Sequence, residues 1–89
     1  GAPVQTYPVE IYIKAYDRSG LLRDVSLLLA NEKINVLEVN TRTNKDDNYA
    51  AMLLTIEIPS LSLLSRLLTR ISQLPNVIEA RRNRQEGRG

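Results

Sequence analysis

No cysteine and no histidine occur anywhere in the 89 residues, and the two absences remove a large share of site chemistry. Disulfide staples, thiolate nucleophiles, imidazole acid–base catalysis and the usual zinc, copper and iron ligand sets all need one residue or the other. Glycine is scarce as well. Gly1, Gly20, Gly87 and Gly89 are the full complement, too scattered for a P-loop or a dinucleotide fingerprint, which draw phosphates close to backbone amides through clustered glycines. Tryptophan and phenylalanine are missing, so four tyrosines supply all the aromatic surface. No apolar run reaches the roughly 18 residues that a membrane-spanning helix requires. Gly1-Ala2-Pro3 has neither the basic nor the apolar region of a signal peptide and reads as a cloning remnant. The expectation is a soluble, cytoplasmic protein without membrane contact, and the lack of cysteine agrees with a reducing compartment.

What is present suits one small domain. The chain is 43% hydrophobic, and domains commonly span about 50 to 250 residues. At this size much apolar surface stays near water, and with disulfides and the common metal ligands excluded, association with another subunit is the remaining support. Twelve basic residues against ten acidic leave a net charge of +2, and much of the excess sits in Arg81, Arg82, Arg84 and Arg88 at the C-terminal end. Clustered arginine is usually solvated, and it also gains affinity for RNA by releasing counterions from the phosphate backbone.

The hydrophobic pattern changes period along the chain. Val9, Ile11, Ile13 and Ala15 alternate with Glu10, Tyr12, Lys14 and Tyr16, the period-two pattern of a strand with one buried face. Asp17-Arg18-Ser19-Gly20 interrupts it, with Asp17 or Ser19 placed to cap a following helix. Leu21, Leu22, Val25, Leu28 and Leu29 then fall within about 120° of arc on a helix, while Leu27 lies opposite. A β-branched segment from Ile34 to Thr43 predicts a second strand. The polar cluster 44–48 predicts a turn, and Tyr49 to Ile58 a third strand with Ala50, Met52, Leu54, Ile56 and Ile58 on one face. Leu64, Leu67, Leu68, Ile71 and Leu74 repeat at helical spacing until Pro75, and Val77 to Arg81 reads as a short last strand. The order β-α-β-β-α-β predicts an α+β ferredoxin-like sandwich, a four-stranded antiparallel sheet with both helices on one face. Residues 1–8 form an N-terminal tail, 9–82 the domain and 83–89 a basic tail. The sheet face without helices and the first strand–helix turn are where function is to be sought.

The run Val9-Glu10-Ile11-Tyr12-Ile13-Lys14-Ala15-Tyr16-Asp17-Arg18-Ser19-Gly20-Leu21-Leu22-Arg23-Asp24-Val25, with Ile34-Asn35-Val36 later and Leu74-Pro75-Asn76-Val77-Ile78 near the end, resembles an ACT domain. More narrowly it resembles the C-terminal ACT domain of RelA/SpoT-type (p)ppGpp synthetase/hydrolases. The resemblance implies a non-catalytic regulatory domain without cofactor or metal, in a parent protein that is a GTP pyrophosphokinase and (p)ppGpp hydrolase of the stringent response. It further implies a homodimer formed side by side through the sheets, with an amino acid or another small effector at the interface. The matching positions are Asp17, Arg18, Ser19, Gly20, Leu21 and Leu22 together with Asn35, Val36 and Leu37, and the parent's regulatory half senses the ribosome.

A different class of function is an RNA-binding module of the RNA-recognition-motif type, contacting ribosomal RNA through Tyr12, Tyr16, Arg81, Arg82 and Arg84, because aromatic side chains on an open sheet of this topology stack bases. Ala50-Ala51-Met52-Leu53 stands where such a motif shows glycine and further aromatics, which counts against it. A small acylphosphatase-like enzyme would need an arginine-plus-asparagine phosphate site, and no such combination stands out. Asp46-Asp47 belongs to a turn rather than to an acid–base pair.

Overall fold

The structure, a computed structural model, describes residues 5–16, 18–44 and 49–83. Its elements are β1 (Tyr7–Ala15), α1 (Arg18–Asn31), β2 (Asn35–Asn44), β3 (Tyr49–Ile58), α2 (Leu61–Ser72) and β4 (Val77–Arg82). The strands form one four-stranded sheet in the order β2-β3-β1-β4, with every pairing antiparallel. This is the ferredoxin-like arrangement that the alternation of periods predicts. β1 starts at Tyr7 rather than Val9 and pairs with β3 over its whole length. Pro8 is tolerated because β4 pairs only from Ile11 onward, so no ladder hydrogen bond from residue 8 toward β4 is lost.

The alternation on β1 and β3 is realised residue by residue. Val9, Ile11, Ile13 and Ala15 are buried with Ala50, Met52, Leu54, Ile56 and Ile58. Both helices close over that face, α1 through Leu21, Val25 and Leu29 and α2 through Leu64, Leu67 and Ile71. Leu22 departs from the expected stripe and is 46% exposed, since it lies at the edge of the arc and the sheet reaches only the centre. Leu27 is exposed, as its opposite position predicts.

Local chemistry sets the ends of the elements. Ser60 caps α2 by accepting a hydrogen bond from the Leu63 amide at 3.3 Å. After α1, Ile34 N–H donates to Leu29 O at 3.0 Å and Lys33 N–H to Ala30 O at 3.1 Å, with Lys33 at φ 59°. That pair of bonds is a Schellman cap, with lysine in the left-handed position that glycine usually occupies. Ile34 packs against the core and fixes the angle at which β2 begins. α2 ends at Ser72, short of Pro75. Pro75 and Asn76 then lead into β4 with Asn76 at φ 70° and Val77 N–H donating to Leu74 O at 3.3 Å, the residue order that a type II turn demands.

β2 stands apart. It is an edge strand paired only to β3, and Val36, Leu37 and Val39 are 37%, 50% and 45% exposed. Leu37 is an extra residue in the ladder between Val36 and Glu38, a bulge that bends the strand locally.

Candidate effector site and open sheet face

The β1–α1 turn is anchored from β4, because the Tyr16 amide donates to Asn76 O at 2.9 Å. The left-handed turn before β4 therefore holds the segment on which the first candidate site is built. α1 begins at Arg18, so Ser19 lies inside the first helical turn and is not its N-cap. Asp17, the other residue expected to cap the helix, lies outside the described residues. Gly20 is also helical, and no described glycine has a positive φ. Its contribution is the missing side chain at the helix start, not a bend that only glycine can make. Leu21 is buried in the core and Leu22 is exposed beside it.

Asn35, Val36 and Leu37 lie elsewhere. Asn35 is in register with Glu57 and Val36 with Ile56, at the end of the sheet where β1 begins, since Tyr7 pairs with Ile58. The β1–α1 turn follows Ala15, which pairs with Ala50, itself opposite Thr43. Within one chain the two halves of the expected site thus sit at opposite ends of the sheet. Asn35 is also committed locally, its Nδ2 donating to Glu57 Oε1 at 2.9 Å.

The open face brings other residues together. Tyr12 and Arg81 are in register, and the Arg81 guanidinium lies 4.6 Å from the ring centroid of Tyr12 while its Nε donates to Glu79 at 2.7 Å. Lys14 Nζ lies 4.2 Å from the centroid of Tyr49. Of the residues expected to meet RNA, only Tyr12 and Arg81 form such a pair. Tyr16 follows the end of the strand and is 64% exposed. Arg82 is in register with the buried Ile11, hence on the other side of the sheet, and Arg84 lies outside the described residues. No sequence motif singles out Arg42; its place on this face, opposite Ala51, follows from the β2–β3 register.

No cluster of metal-ligating side chains occurs among the described residues, and no helix among them is long and apolar enough to cross a membrane.

A family model described as the ACT domain matches residues 3–82. The chain belongs to the ACT-domain family. Curated relatives of this ACT domain include GTP pyrophosphokinase of Escherichia coli (strain K12), 47% identical over 76 residues, which are 85% of this chain and 10% of that protein. The bifunctional (p)ppGpp synthase/hydrolase RelA of Mycobacterium tuberculosis is 32% identical over 81 residues, 91% of this chain and 11% of that protein. The ACT domain thus spans about a tenth of the length of the curated relatives it matches. Among solved structures, the crystal structure of the ACT domain from GTP pyrophosphokinase of Chlorobium tepidum superposes with a TM-score of 0.74 at 16% identity, covering 89% of this chain and 100% of that one. The C-terminal domain of the MgtC protein from Mycobacterium tuberculosis gives 0.73 at 12% identity, over 98% of this chain and 95% of that one. At such identities the likeness speaks to the fold, and the fold agrees.

Proposed function

We propose that this ACT domain is the non-catalytic regulatory domain of a RelA/SpoT-type (p)ppGpp synthetase/hydrolase acting in the cytoplasm. In this reading it pairs with a second copy along β2 and binds a small effector, such as an amino acid, where the copies meet. The parent protein supplies the GTP pyrophosphokinase and hydrolase activities and the contact with the ribosome.

One observation carries the effector reading. The start of α1 after β1 and the start of β2 at Asn35 to Leu37 lie at opposite ends of the sheet in one molecule. β2 also presents an unpaired edge with exposed Val36, Leu37 and Val39. Antiparallel pairing of two β2 edges about a two-fold axis brings the partner's strand start to the same end as the β1–α1 turn, so one pairing covers the edge and assembles both halves of the site. The helix start then contributes backbone amides suited to a carboxylate.

Sedimentation of the 89-residue chain is expected to give a dimer at micromolar concentration. Titration with branched-chain amino acids is expected to move the Gly20 and Asn35 amide resonances together. A strict monomer rejects the pairing, and unmoved resonances across the amino acids reject the effector.

A further inference from the structure

We propose that the open face of the sheet carries a second ligand site, a depression over Ala51 that binds a single nucleoside monophosphate. The depression measures about 800 Å³ and is lined by Tyr12, Asn40, Arg42, Tyr49, Ala51 and Leu53, among others, a size within the usual range for small-ligand sites. Its origin is the register of the strands. Arg42, Ala51 and Lys14 form one row across β2, β3 and β1, and Asn40, Leu53 and Tyr12 form the next. Ala51 puts a single methyl between two long cationic side chains, and the floor drops there.

The lining sorts into the parts that a nucleotide needs. Tyr12 and Tyr49 line the depression, each with a cation against the ring, Arg81 at 4.6 Å and Lys14 at 4.2 Å. Tyr12, in register with Leu53, offers with it an apolar seat for a base, whose π face stacks on aromatic rings whatever its sequence identity. Asn40 donates through Nδ2 to Glu38 at 3.0 Å, which orients its amide and leaves the carbonyl oxygen for an exocyclic amine. Arg42 is exposed and has no ion-pair partner among the described residues. A guanidinium without a carboxylate is suited to a phosphate, which it grips through paired N–H donors.

Charge distinguishes this ligand from the effector. No carboxylate is among the described residues that line the depression. Glu38 accepts from Asn40, Glu10 accepts from Asn83 at 2.8 Å, and Glu79 holds Arg81. The ammonium of a free amino acid would face the Arg42 guanidinium with no carboxylate among the described lining residues to neutralise it, whereas an anion meets that guanidinium favourably. A nucleic-acid strand needs a succession of free cations along its backbone. Of the described cations on this face, Lys14 and Arg81 are already held against tyrosine rings, which leaves Arg42 to take one phosphate.

The test is an amide NMR titration of the 89-residue chain with AMP, adenosine, ribose 5-phosphate, inorganic phosphate and a short single-stranded RNA. AMP is expected to shift Arg42, Ala51 and Leu53 saturably while leaving Gly20 in place, which separates this site from the effector pocket. Adenosine and ribose 5-phosphate each bind about tenfold more weakly, because each lacks one of the two contacts. R42Q weakens AMP binding by about tenfold as well, whereas R23Q, a change at an exposed α1 residue remote from the depression, leaves it unchanged. No saturable shift with AMP overturns the proposal. So does an equal response to inorganic phosphate, and so does a response to the RNA alone, which would make the face a nucleic-acid surface instead.

Discussion

Glu32 illustrates how a surface residue ties two elements together. Its carboxylate is 3.0 Å from Arg66 and 3.5 Å from Arg70 of α2, and its side chain is only 13% exposed while theirs are 60% and 55% exposed. The arginines' exposure limits the gain, since exposed pairs contribute about 0.2–1 kcal/mol each. Glu32→Gln is therefore expected to lower unfolding stability by about 1 kcal/mol, with an unchanged urea m-value and a difference that shrinks in molar salt as screening weakens the original pairs. A loss insensitive to salt would mean that packing, not charge, joins the helices here. Neither partner was legible in the sequence, because residues so far apart, 34 positions for Arg66 and further for Arg70, show no helical or strand periodicity relative to one another. The core positions were legible, since Ile11, Ile13, Met52 and Ile71 repeat at the period of the elements that bury them.

At the level of elements, the close of α1 shows a local rule broken and tolerated. Lys33 adopts φ 59°, a conformation that costs a residue with a Cβ roughly 1–2 kcal/mol. The Schellman bonds and the burial of Ile34 hold it there. Lys33→Gly removes that strain at the expense of a more flexible unfolded chain, and a net gain of about 0.5–1 kcal/mol is expected in urea unfolding. Destabilisation by this substitution would show that the lysine side chain stabilises the fold in a way its backbone conformation does not suggest. The polar run Asn31-Glu32-Lys33 interrupts the apolar pattern between Leu29 and Ile34, but no glycine announces the left-handed residue. The two helices also differ in how clearly they spoke. α2 carries a narrow apolar stripe of which Leu64, Leu67 and Ile71 are buried and Leu68 partly so, whereas α1 has leucines on two sides, and its burial of Leu21 over Leu22 was decided by the sheet beneath it.

For the whole molecule, the uneven cover of the sheet is the dominant feature. α1 and α2 bury β1 and β3 well, while β2 is left with exposed valine and leucine along an unpaired edge. A charge placed in that edge blocks strand addition without touching the core. Val39→Lys is accordingly expected to convert a dimer to a monomer in sedimentation velocity, while the far-ultraviolet circular dichroism spectrum of the chain is unchanged. The amino-acid shifts at Gly20 are expected to disappear with it, because the partner's strand start is then missing. An unchanged dimer would place the self-contact on another surface.

The period of the apolar residues sufficed to determine the order of elements, most of the core and the ferredoxin-like sheet, because burial on a sheet or helix imposes a fixed repeat on the chain. The exclusion of thiol and imidazole chemistry was equally a matter of composition. The tertiary structure alone decided that the β1–α1 turn and the start of β2 lie at opposite ends of the molecule, and that Arg42, Ala51, Tyr12 and Tyr49 share one depression. Both depend on register between strands distant in sequence, which side-chain pairing across the whole sheet sets and no local pattern encodes.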